Sequence, residues 1–288
     1  MTLTFKADAT ASYTVTRMRD GQLQSAINAE VDTVAEEVPV ALVYNGVSHA
    51  VMLASPQDLT DFALGFSLSE GILDSASDLY SIEIVTENNG ISLQMEVATA
   101  CFMRLKEKRR SLVGRTGCGL CGAESLATAL RLPPEKTTVL PHNQKVFSQE
   151  ETSIVKISSK AIGQALKNIR LHQPMQTATG ATHACAWVSQ VGDIVLTRED
   201  VGRHNALDKL VGAMAKQPQQ SAGFIVTTSR ASYEMVQKAA SAGAKMLVAI
   251  SAPTGLAIRL AEQYGITLIG FARDDSFVIY THPEYLSF

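Results

Sequence analysis

The segment "GRTGCGLCG" (residues 114–122) sets Cys118 and Cys121 two residues apart among four glycines. Three chemistries are open to such a pair: holding a metal, cycling between dithiol and disulfide, or carrying sulfur as a persulfide. A structural zinc site needs four ligands, usually supplied by a second C-x-x-C or a histidine pair. The other two cysteines, Cys101 and Cys185, stand alone and read as small buried apolar residues. The six histidines form no H-x-x-x-H pair, so no structural metal is expected. A thioredoxin-type pair opens a helix directly after a strand. Here a helical stretch comes first, and the pair lies outside the half of the chain with α/β patterning. Sulfur carriage needs an exposed thiol of low pKa on a loop with reach. Arg115 and the start of the next helix near Ala123 favour thiolate, and the glycines at 114, 117, 119 and 122 grant the reach. The same local physics suits a redox pair, so spacing alone leaves the choice open.

A second set of chemical residues lies further on. "TSRASYE" follows an apolar strand and opens a helix. Thr228, Ser229, Ser232 and the first helix amides would form an anion-binding end, with Arg230 adding charge. "TGATH" (179–183) and "REDVGRHN" (198–205) are polar, glycine-punctuated segments beside strands. Thr179 and Gly180 in the first, and Arg203 and His204 at a helix start in the second, suit phosphates or a polar ring. Each residue alone reads equally well as a cap or a salt-bridge partner. Three such segments, expected at one sheet edge, argue together for a phosphate-bearing ligand.

The elements that must position these residues follow from the apolar pattern. Residues 1 to about 35 are polar, and partial mobility is expected there. "EVPVALVYNGVSHAVMLAS" predicts two strands turning at Asn45-Gly46. Ser55-Pro56 supplies the N-cap and first turn of a helix that carries Leu59, Phe62, Ala63 and Phe66 on one face. A second hairpin turns at Asn89-Gly90. "CFMRLKEKRRSLV" is a basic helix with Phe102, Leu105 and Leu112 inward, and the cysteine loop follows it. Pro133-Pro134 and Pro141 punctuate a polar stretch, which places a domain boundary near residue 143. The reading is a smaller α+β domain over 1–143 and an α/β domain over 144–288. In the second, short apolar strands alternate with amphipathic helices, which predicts a sheet covered by helices with parallel neighbours.

Composition narrows the function. The 288 residues are 46% hydrophobic and 18% charged, with a net charge of −3. No strong field points to nucleic acid or an anionic membrane. The longest apolar stretches, such as 245–252, are too short to span a bilayer, and the polar N-terminus has no signal core. A cytoplasmic protein with neither nucleic-acid nor membrane partners is expected.

In order along the chain, "GRTGCGLCG", "TGATHA", "REDVGRHNALDKL", "SRASYEMVQKAASAG" and "GFARDDSFVIYTHP" resemble the formate dehydrogenase accessory sulfurtransferase family (FdhD/NarQ). The N-terminal "AEEVPVALVYNGVSHAVMLASPQDLTDFALGFSLSEGI" is similar to it too, and the likeness runs from about residue 34 to 286. The resemblance implies a sulfurtransferase that takes persulfide sulfur from a cysteine desulfurase. It passes that sulfur to the molybdenum bis(molybdopterin guanine dinucleotide) cofactor needed by the formate dehydrogenase catalytic subunit. By motif position Cys118 would carry the persulfide and Cys121 would be its partner. The family's cofactor stretch falls on Phe271, Ala272, Arg273, Asp274, Asp275 and Ser276, where the two acids stand in place of the neutral or basic residues expected. GDP would serve as an analogue of the cargo, and a homodimer is expected. The resemblance also implies a cytidine deaminase-like three-layer fold for the second half. Deaminase activity itself needs H-x-E followed by P-C-x-x-C. Here the H-x-E is His282-Pro283-Glu284, after the cysteines, and Gly117 precedes Cys118. A further reading is a non-catalytic chaperone that holds the cofactor without using the thiols.

Overall fold

The structure, a computed structural model, describes residues 8–20, 22–23, 30–110, 156–217 and 222–288. Cys118 and Cys121, Arg115, Leu112 and the boundary expected near residue 143 lie outside the described residues. The fold is mixed α/β, with several sheets and seven α-helices among the described residues.

The first sheet has the order β6-β5-β8-β7. Strands β5 (Val38–Tyr44) and β6 (Val47–Ala54) form a hairpin through Asn45 and Gly46, at φ 44° and 77°. Two successive positive φ values give the turn whose twist matches the strands. The Asn45 side chain also completes a neighbouring strand: its amide donates to the Val97 carbonyl at 3.1 Å, and its oxygen accepts from Val97 N at 2.7 Å. Strands β7 (Leu79–Glu87) and β8 (Gly90–Val97) form the second hairpin. It turns at Asn88-Asn89, one residue earlier than expected. Gly90 already pairs with Glu87 as the first residue of β8, and a Cβ there would overlap the Pro39 carbonyl oxygen. The N-terminal segment expected to be mobile also holds an antiparallel pair, β1 (Thr10–Val15) with β4 (Glu30–Ala35). Its β-branched residues explain the pairing.

Helices α1 (Leu59–Ser69) and α2 (Thr99–Arg110) cover one face of this sheet. Leu42, Tyr44, Phe62, Leu93 and Met95 form the core between them, with Cys101 and Leu105 of α2 closing it. Helix α1 starts later than the Ser55-Pro56 signal suggested. Asp58, at φ 52°, takes the N-cap position, and Ser55 is drawn away by bonds to the second half of the chain.

The second sheet has the order β11-β10-β12-β13-β14-β15. Its strands are β10 (His183–Ser189), β11 (Ile194–Asp200), β12 (Gly223–Thr227), β13 (Met246–Ala249), β14 (Thr267–Arg273) and β15 (Ser276–Ile279). The expectation of parallel neighbours holds for β12, β13 and β14, whereas β10, β11 and β15 pair antiparallel. The reason is connection length: Val191-Gly192 and Asp274-Asp275 are tight turns, and only a crossover helix can return a strand in parallel. Helix α3 (Ser159–Asn168) covers one face, and α5 (Arg203–Ala215), α6 (Tyr233–Ser241) and α7 (Gly255–Tyr264) cover the other. A short helix, α4 (Pro174–Thr179), leads into β10. The apolar runs of β12 show why both faces are dry: Phe224 and Val226 face α3, while Ile225 faces α5–α7. Among the described residues no helix is long and apolar enough to cross a membrane.

The two sheets are joined through α1 and α5, which run antiparallel with a glycine on each. A Cβ on Gly65 would overlap the Asp208 carbonyl oxygen and stand 2.6 Å from Gly212 N. One on Gly212 would overlap the Asp61 carbonyl oxygen. The helices touch backbone to backbone, closer than side chains permit. Gly212→Ala is therefore expected to destabilise the protein by about 3 kcal/mol or more, the upper range for overpacking a core. Gly255→Ala, whose new Cβ meets only the tip of Arg259 at 3.6 Å, should be near neutral. Urea denaturation of the two variants checks this; equal midpoints would contradict it.

Candidate functional site

Strand β11 runs in the same direction as β12, β13 and β14, because both β11 and β12 are antiparallel to β10. The carboxyl ends of four strands and the amino end of β10 therefore share one edge, where α5, α6 and α7 begin. Open α/β sheets bind ligands at this kind of edge. The structure brings most of the residues singled out in the sequence to it: Gly180 before β10, Arg203 and His204 opening α5, Ser229 and Arg230 after β12, and Phe271 near the end of β14; His183, at the start of β10, joins them. The loops along the edge are stitched sideways. Phe271 N donates to the Ser251 carbonyl at 3.2 Å, and Thr254 N to the Ala231 carbonyl at 3.0 Å.

The motif "REDVGRHNALDKL" divides in two. Most of its polar side chains build the junction with the first sheet. Lys209 and Asp200 form a buried pair at 2.7 Å, both side chains fully covered. Around it, Asp200 accepts from Ser55 N at 3.0 Å and Gly202 N at 2.8 Å, and Lys209 donates to the Ser55 carbonyl at 3.0 Å. The Asn205 amide donates to the Leu53 carbonyl at 2.7 Å. Arg198 pairs with Asp61 of α1 at 2.7 Å. Asp208 binds Lys238 of α6 at 2.9 Å and Ser69 of α1, while Lys238 also reaches Glu70 at 3.2 Å. Burial works against the Lys238 charge, but the Asp208 and Glu70 carboxylates outweigh it and hold its pKa above the ordinary lysine value. Glu199 is buried too. Its carboxylate accepts from Met175 N, Gln176 N and the Thr182 hydroxyl at 2.8–2.9 Å, which fastens α4 and the segment leading to His183.

Arg203 and His204 are the residues of this motif that the junction leaves over. Arg203 Nε is buried without a hydrogen-bond partner among the described residues. His204 Nδ1 stands 2.9 Å from Glu234 Oε2 on α6, an ion-pair distance without hydrogen-bond alignment, so the strength of the contact depends on the imidazole's charge. His204 holds the Glu234 carboxyl below its usual range. Burial, and then the Arg203 guanidinium, push the His183 imidazole below its ordinary pKa. Neither Gly202 at the start of α5 nor Ser232 at the start of α6 caps its helix with a side chain, and Ser232 Oγ is buried without a partner among the described residues. Thr254 by contrast caps α7, accepting from Ala257 N at 3.3 Å. Two helix starts without a side-chain cap, one guanidinium and two imidazoles form an edge suited to phosphate oxygens.

Other expected site residues are occupied locally. Thr228 Oγ1 accepts from Ala184 N at 2.9 Å, and buried Ser229 bonds Thr227. The Thr179 hydroxyl donates back to the Met175 carbonyl at 2.7 Å, and Gly180 ends α4 at φ 69°. Arg230 is exposed. Within the Phe271–Ser276 stretch, Asp274 takes a positive φ of 49° in the two-residue turn, and Asp275 pairs with Lys167 of α3 at 2.8 Å. These acids shape the hairpin, which accounts for their departure from neutral or basic residues. Ala272 is buried. Phe271 is the unusual member. It sits at φ 52° in a bulge between Gly270 and Arg273, with half of its surface exposed. A bulky residue in that region is strained, and such strain gathers at ligand sites.

Glu234 was not legible as a site residue, because it meets His204 from thirty positions away with no local signal. His183 ends "TGATH" with no local signal of its own; its position opposite Asp200 emerges only from the β10–β11 register. Among the described residues, Asp74, Asp78 and Cys101 come close enough to share a metal ion. Arg104 already lies 2.7 Å from Asp74 and 3.3 Å from Cys101.

Fold and edge together define a mixed α/β protein whose parallel strands end at a polar edge beside the starts of three helices. By sequence the chain belongs to the FdhD/NarQ family, whose model matches residues 35–287. A relative from Cupriavidus necator, named sulfur carrier protein FdhD, is 54% identical over 96% of this chain and 90% of its own length. One of the same name from Bordetella parapertussis is 49% identical over 95% and 93%. Among solved structures, a crystal structure of a proposed formate dehydrogenase accessory protein from Desulfotalea psychrophila superposes with a TM-score of 0.71. It shares 21% identity and covers 97% of this chain and 100% of its own. At that identity the likeness concerns the fold.

Lys209→Met should leave Asp200 buried and unpaired, at a cost of about 3–5 kcal/mol. Lys209→Met with Asp200→Leu should regain part of that loss. Thermal unfolding of both variants checks it; a double variant no better than the single would refute the ion-pair account.

Proposed function

We propose that this protein carries sulfur for the maturation of formate dehydrogenase. The observation that carries the reading is the family match, which spans positions 118 and 121, together with relatives of about 50% identity named as sulfur carriers. In this reading the Cys118 thiolate attacks the outer sulfur of a cysteine desulfurase persulfide. A new S–S bond forms on Cys118, the old one breaks, and the desulfurase thiolate leaves. Cys121 assists release. The cargo that receives the sulfur is the molybdenum bis(molybdopterin guanine dinucleotide) cofactor.

The edge residues fit the nucleotide part of that cargo. Arg203, with its Nε lacking a partner among the described residues, and the helix starts without side-chain caps would take phosphate oxygens, and half-exposed Phe271 would stack on an aromatic ring. Helices on both faces of a mixed sheet, with the ligand edge at the starts of α5 and α6, accord with a cytidine deaminase-like arrangement.

Intact mass after incubation with a desulfurase and cysteine should show one added sulfur atom, removed by reductant and absent in Cys118→Ala. That variant should also fail to activate formate dehydrogenase; normal activation would end the carrier reading. Calorimetry should show GDP binding ahead of CDP and AMP. Phe271→Ala should weaken GDP binding about tenfold, the scale of one base–aromatic stack. Equal affinity for all three nucleotides would remove the guanine assignment, while sulfur loading without nucleotide binding would leave the carrier role standing alone.

A further inference from the structure

The outer side of α3 faces away from both the first sheet and helices α5–α7, and it is basic. Lys156, Lys160, Lys167 and Arg170 are all exposed in this short stretch, although the chain as a whole carries a net charge of −3. Lys156, Lys160 and Arg170 have no acidic partner among the described residues. A cleft of about 340 Å³ lies between α3 and the β14–β15 hairpin, lined by Lys160, Gln164, Lys167, Asn168 and Asp275. The hairpin tip sits this near because residue 163 is glycine: a Cβ there would be 2.5 Å from Asp275 Oδ1. Both Asp275 oxygens accept from Lys167 Nζ, at 2.8 and 3.0 Å. Gln164 donates to a second carboxylate, Asp193, at 2.9 Å. Lys167 and Gln164 of this helix face are therefore already engaged by carboxylates from the protein itself, whereas Lys160 has none among the described residues.

We propose that this cleft docks an acidic segment of a partner protein, whose carboxylates pair with Lys160 and displace Asp275 from Lys167. The chemistry favours a peptide over a nucleic acid. Among the described residues no aromatic side chain lines the cleft to stack a base. Leu171, 82% exposed one turn beyond Lys167, offers an apolar contact beside the charges. The hairpin that would give way also carries Phe271, so a partner seated here would lie next to the ligand edge.

The test is fluorescence anisotropy with a fluorescein-labelled hexaglutamate peptide, against an oligothymidylate of matched charge. The wild-type protein should bind the peptide, and Lys160→Glu/Lys167→Glu should abolish binding. Asp275→Asn, by removing the internal competitor, should tighten binding about two- to fivefold, the scale of one exposed ion pair. All substitutions lie on the surface, and unchanged thermal unfolding midpoints confirm that the variants are folded. Binding that Asp275→Asn leaves unchanged or weakens, peptide binding absent from wild type and Asp275→Asn alike, or oligothymidylate bound as tightly as peptide would each overturn the proposal.

Discussion

The backbone contact between Gly65 and Gly212 is the constraint on which the rest of the architecture depends. It brings α1 and α5 together closely enough that the polar groups flanking the crossing must meet. Asp61 accepts from Arg198 and Lys216, Ser69 donates to Asp208, and Ser55 is bound between Asp200 and Lys209. Desolvating these charges is costly, and an apolar junction of equal volume could match their net stability. What the polar junction adds is register. Apolar helix faces can slide by a turn, whereas these donors and acceptors satisfy one another in one alignment only.

That alignment in turn fixes the candidate edge. Asp200 ends β11 and Arg203 opens α5, with Gly202 between them bonded to Asp200. The junction thus immobilises the residues on either side of Arg203 and His204 without using those two side chains. Glu199 does the same for the segment entering β10. A site supported in this way presents its charged groups from rigid elements, and little ordering remains to be done when a ligand arrives.

Much of the fold was legible because its apolar periodicities are clean. The strands β10 to β15 and the helices between them follow from runs such as "GFIVTTS" and "YEMVQKAASAG", and Asn45-Gly46 marks its turn by chemistry. The start of α1 was misread because Ser55-Pro56 is a good local helix signal, but Ser55 has partners about 145 positions away that outweigh it. The candidate edge was legible as three segments, since each is polar, glycine-punctuated and next to a strand. Which side chains remain open within them was not. Arg198, Asp200, Asn205, Asp208 and Lys209 carry the same residue types as a binding motif, and only the three-dimensional arrangement shows that the first sheet consumes them. The acids at 274 and 275 were puzzling in sequence for a related reason: Lys167, which explains Asp275, precedes it by 108 positions.

Helix α1 has a consequence for how the chain is made. It belongs to the core of the first sheet, yet its opposite side, including Gly65 and Ser69, is closed among the described residues by partners beyond 200. A ribosome adding roughly 5–20 residues per second needs on the order of 10 s to progress from Ser69 to Asp208. During that interval the first sheet can pair its strands, but one flank of α1 stays open to water and to neighbouring nascent chains. Contacts so distant in sequence also slow the final docking step, because the intervening loop must be closed before any of them forms. The late-emerging α5 acts as the last staple of the molecule, so a truncation before residue 203 leaves an unfinished first half rather than a free-standing one.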